Sequence, residues 1–254
     1  SLNISTMIEL LKNSWHGHTQ DSEFCGPDSR ELYQANLRRL AESWPWRHQK
    51  VRYSLNSQGY RAAEFDTIDW SSSVLMFGCS YVFGCGIDDS QTMAAQLSQR
   101  LGRPVINLGA GATDDMFQWI NSNRLYSAGV RPWAVIYVWP GVNRLTELRE
   151  DLATWNWGVW NCHSANISQH WVTNETHVWQ YLDYLSMSVR NMWQCPVLEY
   201  YAYMNRPDSR GTIQAWAPVQ DQARDLLPSG TYHPGPETNR YWVDELLLPA
   251  VSKI

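Results

Sequence analysis

The sequence predicts an α/β protein built on an open parallel sheet. Three observations carry this expectation. Four apolar runs of strand length recur along the chain, Val74 to Gly78, Val105 to Leu108, Trp133 to Trp139 and Pro196 to Tyr203. Segments with helical periodicity lie between them, so the strands pair in parallel through right-handed crossovers. The third run is apolar throughout, as a strand buried on both faces should be. In an open sheet of this kind the C-terminal strand ends lie along one edge, and active sites form there.

Bulk properties narrow the class. A chain of 254 residues buries a full core, and with no Pro/Gly/Ser-rich linker or charge run it reads as one main domain, 71–254, preceded by an extension, 1–70, packed on it. A net charge of −5 and a pI near 5.8 leave no basic stripe for nucleic acid. No stretch is long and apolar enough for a bilayer, and the cluster Met7 to Leu11 lacks a basic leader, so a cytoplasmic protein with no membrane partner is expected. The cysteines Cys25, Cys79, Cys85, Cys162 and Cys195 lack paired metal-ligand spacing and read as thiols. Fifteen tryptophans and thirteen tyrosines exceed what a core of this size needs. They either fill an aromatic core or line a surface where a flat amphipathic ring binds a ligand.

In chain order, Ser29 to Ser43 is expected to be helical with Leu32, Leu37 and Leu40 on its apolar face, Val51 to Leu55 a short strand, and Asn56 to Gly59 a turn. After the first sheet strand, Asp89 or Ser90 caps a helix carrying Met93, Leu97 and Leu101, closed by Gly102. Gly109 to Thr113 is the glycine-rich exit of the second strand. A helix from Asp114 turns Met116, Phe117, Ile120 and Leu125 inward. A Trp-rich insertion at about 150–173 covers one end of the sheet, with Trp155, Trp157 and Trp160 as substrate-binding candidates. Helices follow at Asn174 to Met192 and about Pro236 to Leu248.

The chemistry candidates fall at the sheet edge. Ser80 follows the first strand in Gly78-Cys79-Ser80, where it either caps the next helix or acts as a nucleophile. A serine nucleophile needs a base, and His233, in the stiff turn His233-Pro234-Gly235-Pro236, is the only histidine after residue 177. An acid should fix the imidazole tautomer; Asp225 is the first choice and Asp221 the second. Gly111, Ala112 and Asn143 end the second and third strands.

Gly78-x-Ser80-x-x-x-Gly84, the glycine loop after Asn107, Gly141-x-Asn143 and an Asp followed by His233-Pro234-Gly235 together resemble blocks I, II, III and V of the SGNH hydrolases, the GDSL esterase/lipase superfamily, over roughly residues 72–250. The lead-in Asn56 to Arg61 is similar to bacterial and phage members. The resemblance implies a flavodoxin-like three-layer α/β/α sandwich with a central parallel sheet, and a Ser80-His233-Asp225 triad hydrolysing esters without cofactor or metal. It also implies an oxyanion hole from the N–H of Ser80, the N–H of Gly111 or Ala112, and the side chain of Asn143. The chain departs from the family at Cys79 and Arg144, where block residues are usually Asp, and at Ala112, where a glycine is usual. It has Gly230 three residues before His233, where the family has its acid, so Leu226 to Ser229 must bulge if Asp225 serves.

The expected substrate is an ester, an acetyl or other short acyl group on a carbohydrate or small molecule. The alternative is a non-catalytic carbohydrate- or ligand-binding protein on the same scaffold. An α/β-hydrolase elbow is excluded by Val82, where that motif needs glycine. Cys79 or Cys85 as a thiol nucleophile has no assigned base. His163, His170 and His177, seven residues apart, read as pocket or surface groups rather than a metal site.

Overall fold

The computed structural model describes residues 8–12, 20–140, 144–147, 158–161, 175–202 and 221–254, of which 144–147, 158–161 and 175–178 are described by backbone alone. A four-stranded sheet in the order β2-β1-β3-β6 forms its centre, from β1 (Val74–Gly78), β2 (Val105–Gly109), β3 (Ala134–Trp139) and β6 (Val197–Tyr201). Every pairing is parallel, Gly78 lying opposite Gly109 on one side and Val138 on the other. The chain moves outward from β1 in both directions, so the topological switch point lies between β1 and β3. A separate antiparallel pair joins β4 (Arg144–Glu147) and β5 (Gly158–Asn161).

Alternation along the strands feeds two cores. Val74 and Met76 of β1 and Ile136 and Val138 of β3 pack with α3 (Met93–Leu101) and with α6 (Pro236–Trp242), which continues through a π-helical turn (Val243–Leu247) to Val251. Leu75, Phe77, Val135, Tyr137 and Trp139 face the other way, against α4 (Asp115–Ser127) and α5 (Glu175–Met192). The result is the expected three-layer α/β/α sandwich. Much of the aromatic surplus is core: Trp46, Trp139, Trp193 and Trp242 are all buried. Tyr137 stacks between Phe77 and Trp139, and Trp193 donates to its hydroxyl at 2.8 Å. Among the described residues, no helix is long and apolar enough to cross a membrane.

Several local expectations are corrected. The first helix, α1, runs only over Arg30–Arg39, with Ser29 as its cap. Arg47 donates to the carbonyls of Leu37, Leu40 and Ala41, which serves the helix end in place of another turn. The innermost residue of α1 is polar, Asn36. Val51 to Leu55 is no strand: its inward alternation holds, with Val51, Tyr53 and Leu55 buried, but among the described residues Tyr53 makes only an isolated bridge to Ser22. Thr92 caps α3, while Asp88, not Asp89 or Ser90, caps the preceding 3-10 turn. In α4 only Phe117 and Leu125 of the expected apolar set are fully buried, and Gln118, Asn121 and Ser122 share the inward face. These polar groups enter because buried carbonyls and hydroxyls there need donors: Gln118 reaches Gly78 O, and Asn121 the Tyr60 hydroxyl.

Small residues let the next element sit on the sheet edge. A Cβ on Gly109 would lie 2.3 Å from the Phe83 nitrogen, and one on Gly78 2.4 Å from Val82 Cγ2. Gly109→Ala is therefore expected to lower unfolding free energy by roughly 2–3 kcal/mol, read as a reduced denaturant midpoint. An unchanged midpoint would mean that the segment after β1 lifts off β2 at no cost.

Candidate active site

β1 stops at Gly78, Cys79 stays extended, and Ser80 opens the four-residue helix α2 (Ser80–Phe83). Gly84 ends it at φ +78, and buried Arg61 donates to the carbonyls of Phe83, Gly84 and Ile87 at 3.0, 2.6 and 3.0 Å. One guanidinium thus serves the last carbonyl of the short helix and two carbonyls just beyond it, while Asn107 Nδ2 donates to Val82 O at 2.9 Å. Cys79 occupies the cap position and the Ser80 side chain makes no cap bond. Ser80 is 1% exposed, and its Oγ bonds to no described residue. A buried hydroxyl left unpaired is uncommon in proteins and calls for a reason.

The β2 exit loop sits beside it. Ala110 N–H and Gln118 Nε2 both donate to the Gly78 carbonyl at 2.9 Å, and Thr113 Oγ1 donates to Ala110 O at 2.6 Å. Between these ties lie buried Gly111 and half-buried Ala112. Ala112 has φ +59, the single positive φ on a non-glycine among the described residues. That conformation costs an L-residue roughly 1–2 kcal/mol, and such strain gathers at functional sites. Ala112→Gly is expected to raise stability by about 0.5–1 kcal/mol, strain relief exceeding the entropy of the added glycine. A denaturant midpoint lower than the parent's would contradict this.

The acid and the imidazole meet across a bulged turn. Asp225, 2% exposed, accepts a hydrogen bond at Oδ2 from the ring Nδ1 of His233 and at Oδ1 from the His233 backbone N–H, 3.2 Å away. Cys85 donates its S–H to the same Oδ2 at 3.6 Å. The eight-residue spacing closes because the exposed segment 227–230 loops out: Leu227 N–H donates to Thr231 O, Gly230 N–H to Leu227 O, and Gly230 takes φ +85. Asp221 is committed elsewhere, accepting from the N–H groups of Glu237 and Thr238 and from the Thr238 hydroxyl at the start of α6. The His233 ring lies edge-on to Tyr81, 6.1 Å between centroids, and Tyr81 stacks on Trp242. The imidazole therefore stands beside the residue that follows Ser80.

The nitrogen, oxygen and sulfur ligand atoms of His233, Asp225 and Cys85 lie within 4.8 Å of one another, the single such group among the described residues that could hold a metal ion. Burial, then the charges of Asp225 and Asp28, pushes the Cys85 thiol well above its usual range. It is held as a neutral donor rather than a thiolate, which disfavours the thiol-nucleophile reading. Asn143, Trp155, Trp157, Trp171, His163 and His170 lie outside the described residues. Trp160 in β5 and His177 in α5 are described by backbone alone.

Several groups around the site are not legible from motif reading. Arg61, Cys85, Asp28, Tyr53 and Arg224 all reach the Ser80 or Asp225 segment, and most come from remote stretches of the chain. Arg61 in the lead-in Asn56 to Arg61, Cys85 as a thiol after the Ser80 turn and Arg224 as a charge beside Asp225 are visible in the sequence, but their contacts are not; Asp28 and Tyr53 carry no signal.

No protein-family model and no curated protein sequence matches the chain. Among solved structures it is similar to TesA, with TM-score 0.45 and 14% identity over 71% of this chain and 98% of that one. It is also similar to a family two carbohydrate esterase from Clostridium thermocellum in complex with cellohexaose, with TM-score 0.44 and 12% identity. A third is an acetyl xylan esterase from the rumen bacterium Butyrivibrio proteoclasticus, with TM-score 0.43 and 10% identity. The match covers 71% and 74% of this chain but 64% and 65% of the two carbohydrate esterases, so the chain spans less than two thirds of their length.

Proposed function

We propose that the chain is a serine esterase of the SGNH hydrolase type, residues 71–254 forming the hydrolase unit and 1–70 an extension packed on it. The observation that carries this reading is the buried Asp225 carboxylate bonded to His233 Nδ1, with the imidazole beside the Ser80 turn.

The chemistry follows from that pair. Asp225 keeps the proton on Nδ1, so the lone pair at Nε2 is the one available to accept a proton. With an ester bound, Nε2 takes the Ser80 hydroxyl proton as Oγ forms a bond to the carbonyl carbon, and the carbonyl oxygen becomes an oxyanion. The N–H groups of Ser80 and of Gly111 or Ala112, with the Asn143 side chain, are the proposed donors to that charge. Collapse breaks the bond to the alcohol oxygen, which takes the proton from Nε2. Water then attacks the acyl-serine by the same steps in reverse, releasing the acid and restoring the Ser80 hydroxyl. Catalytic hydrogen bonds often close only when substrate is bound, which accommodates a resting Oγ that makes no hydrogen bond to a described residue.

The finer reading, an acetyl or other short acyl group on a carbohydrate, stands on the Trp-rich segment Trp155 to Trp171 in the sequence. Turnover of a short-chain aryl ester and of an acetylated oligosaccharide, measured beside binding of the same deacetylated oligosaccharide, tests both levels. Hydrolysis of the aryl ester supports the esterase, and preference for the sugar ester supports the substrate class. Sugar binding without any ester turnover would favour a binding protein on this scaffold.

A further inference from the structure

Asp28, far from the reacting groups in sequence, is 1% exposed and lies where two loops meet. Its carboxylate accepts from Arg224 Nε at 3.0 Å on Oδ1 and from Arg224 Nη2 at 2.8 Å on Oδ2, a bidentate pair with a guanidinium that is itself 4% exposed. Oδ2 also accepts from the Tyr53 hydroxyl at 2.6 Å, and that hydroxyl accepts from Gly86 N–H at 2.7 Å. Arg224 N–H closes the circuit by donating to Gly86 O at 2.9 Å. One carboxylate is therefore bonded, directly or through one hydroxyl, to the residue before Asp225 and to the residue after Cys85.

The surrounding contacts have the same sense. Gln222, Arg224 and Leu226 alternate with Ala223 and Asp225, and the N-terminal segment holds all three of the former. Trp46 Nε1 donates to Gln222 O at 2.9 Å, and Asn36 Nδ2 and Arg39 donate to Leu226 O at 2.9 and 3.2 Å. The Arg224 guanidinium lies over the rings of Phe24 and Tyr33, 4.5 and 5.1 Å from their centroids. Asp225, on the opposite side of the segment, is left facing His233. Gly86, at φ +73, has no room for a side chain: a Cβ would stand 2.9 Å from Arg224 N and 3.1 Å from Asp225 N.

We infer that Asp28, acting through Arg224 and Tyr53, is a positioning residue that fixes the distance between the Ser80 loop and the Asp225-His233 pair. The N-terminal segment is then part of the catalytic scaffold rather than a cover. This rests on the esterase reading for its kinetic consequence but not for its structural one. Burial makes the pair rigid, since breaking it strands a charge away from water.

Tyr53→Phe removes one hydroxyl and keeps the ring that stacks on Phe83 and carries Arg61. In the full chain it is expected to lower kcat about tenfold with KM changed less than twofold, and Asp28→Asn by on the order of 10²-fold, since small misplacements of a reacting group are costly. Both are also expected to shift and broaden the downfield proton resonance of His233 Nδ1, a readout independent of turnover. A folded Tyr53→Phe protein with parental kcat and an unmoved resonance would overturn the inference, whether or not Asp28→Asn folds. Absence of turnover in the parent itself would instead remove the esterase reading, and the resonance would still decide the positioning role.

Discussion

Ser80→Ala is expected to abolish ester turnover, lowering kcat by roughly 10⁴–10⁶-fold, with stability almost unchanged. The two halves of this expectation come from one fact. The Ser80 hydroxyl is buried and bonds to no described residue, so removing it leaves no described partner group unsatisfied and takes away a single atom. Surrounding packing on Cys79, Tyr81 and Val82 is untouched. Steady-state rates on a short-chain aryl ester, set beside a denaturant midpoint, separate loss of chemistry from loss of fold. Turnover within tenfold of the parent in a purified, folded variant would end the serine-nucleophile assignment.

Asp225→Asn is expected to lower kcat by about 10⁴-fold with little change in KM. The side chain keeps its shape, but an amide turned toward His233 offers a donor to Nδ1 and moves the ring proton to Nε2, the atom proposed to accept the serine proton. A second cost is structural. Asp225 accepts from the His233 backbone N–H as well as the ring, and from Cys85, so a single amide oxygen must now serve donors that had a full carboxylate. A loss of about 1–3 kcal/mol of stability is expected to accompany the kinetic loss, as for any buried network that loses an acceptor. A kcat within tenfold of the parent would mean that Asp225 does not set the tautomer, and the acid would have to be sought elsewhere.

What could be read from the sequence was local. The central strands β1 and β3 announce themselves by composition, because a strand covered on both faces admits almost nothing polar, and both are buried at every position. Gly84 and Gly102 end their helices at positive φ, and Gly78 leaves room for Val82. The pairing of Asp225 with His233 was also legible, since a stiff turn and a nearby acid lie in one segment, but the bulge expected at Leu226 to Ser229 falls at 227–230, because Leu226 stays buried with its carbonyl bonded to Asn36. What escaped was long-range and polar. Asn36 and Asp28 look like ordinary residues around a helix cap, and nothing nearby in sequence shows that each is paired with the segment 224–226. Val51 to Leu55 misled because alternating burial needs only an inward face, whereas a strand also needs an edge to pair with, and among the described residues the Tyr53 backbone pairs with Ser22 alone. The polar face of α4 misled for the converse reason: its partners are hydroxyls and carbonyls of other segments, invisible to periodicity.

The tryptophan surplus divides along the same line. Trp139, Trp193 and Trp242 fill space between sheet and helices, and two of the expected substrate-binding tryptophans, Trp155 and Trp157, lie outside the described residues. Their role therefore stands as a proposal tested by substrate preference, while the central chemistry is testable without knowing the substrate.

Treatment of the intact protein with a fluorophosphonate, followed by peptide mapping, addresses that chemistry most directly. A single adduct on Ser80 is expected, absent from Ser80→Ala and formed far more slowly in Asp225→Asn. A parent protein that forms no adduct at Ser80, or carries it on another side chain, would contradict the assignment of Ser80, His233 and Asp225 to one reacting centre.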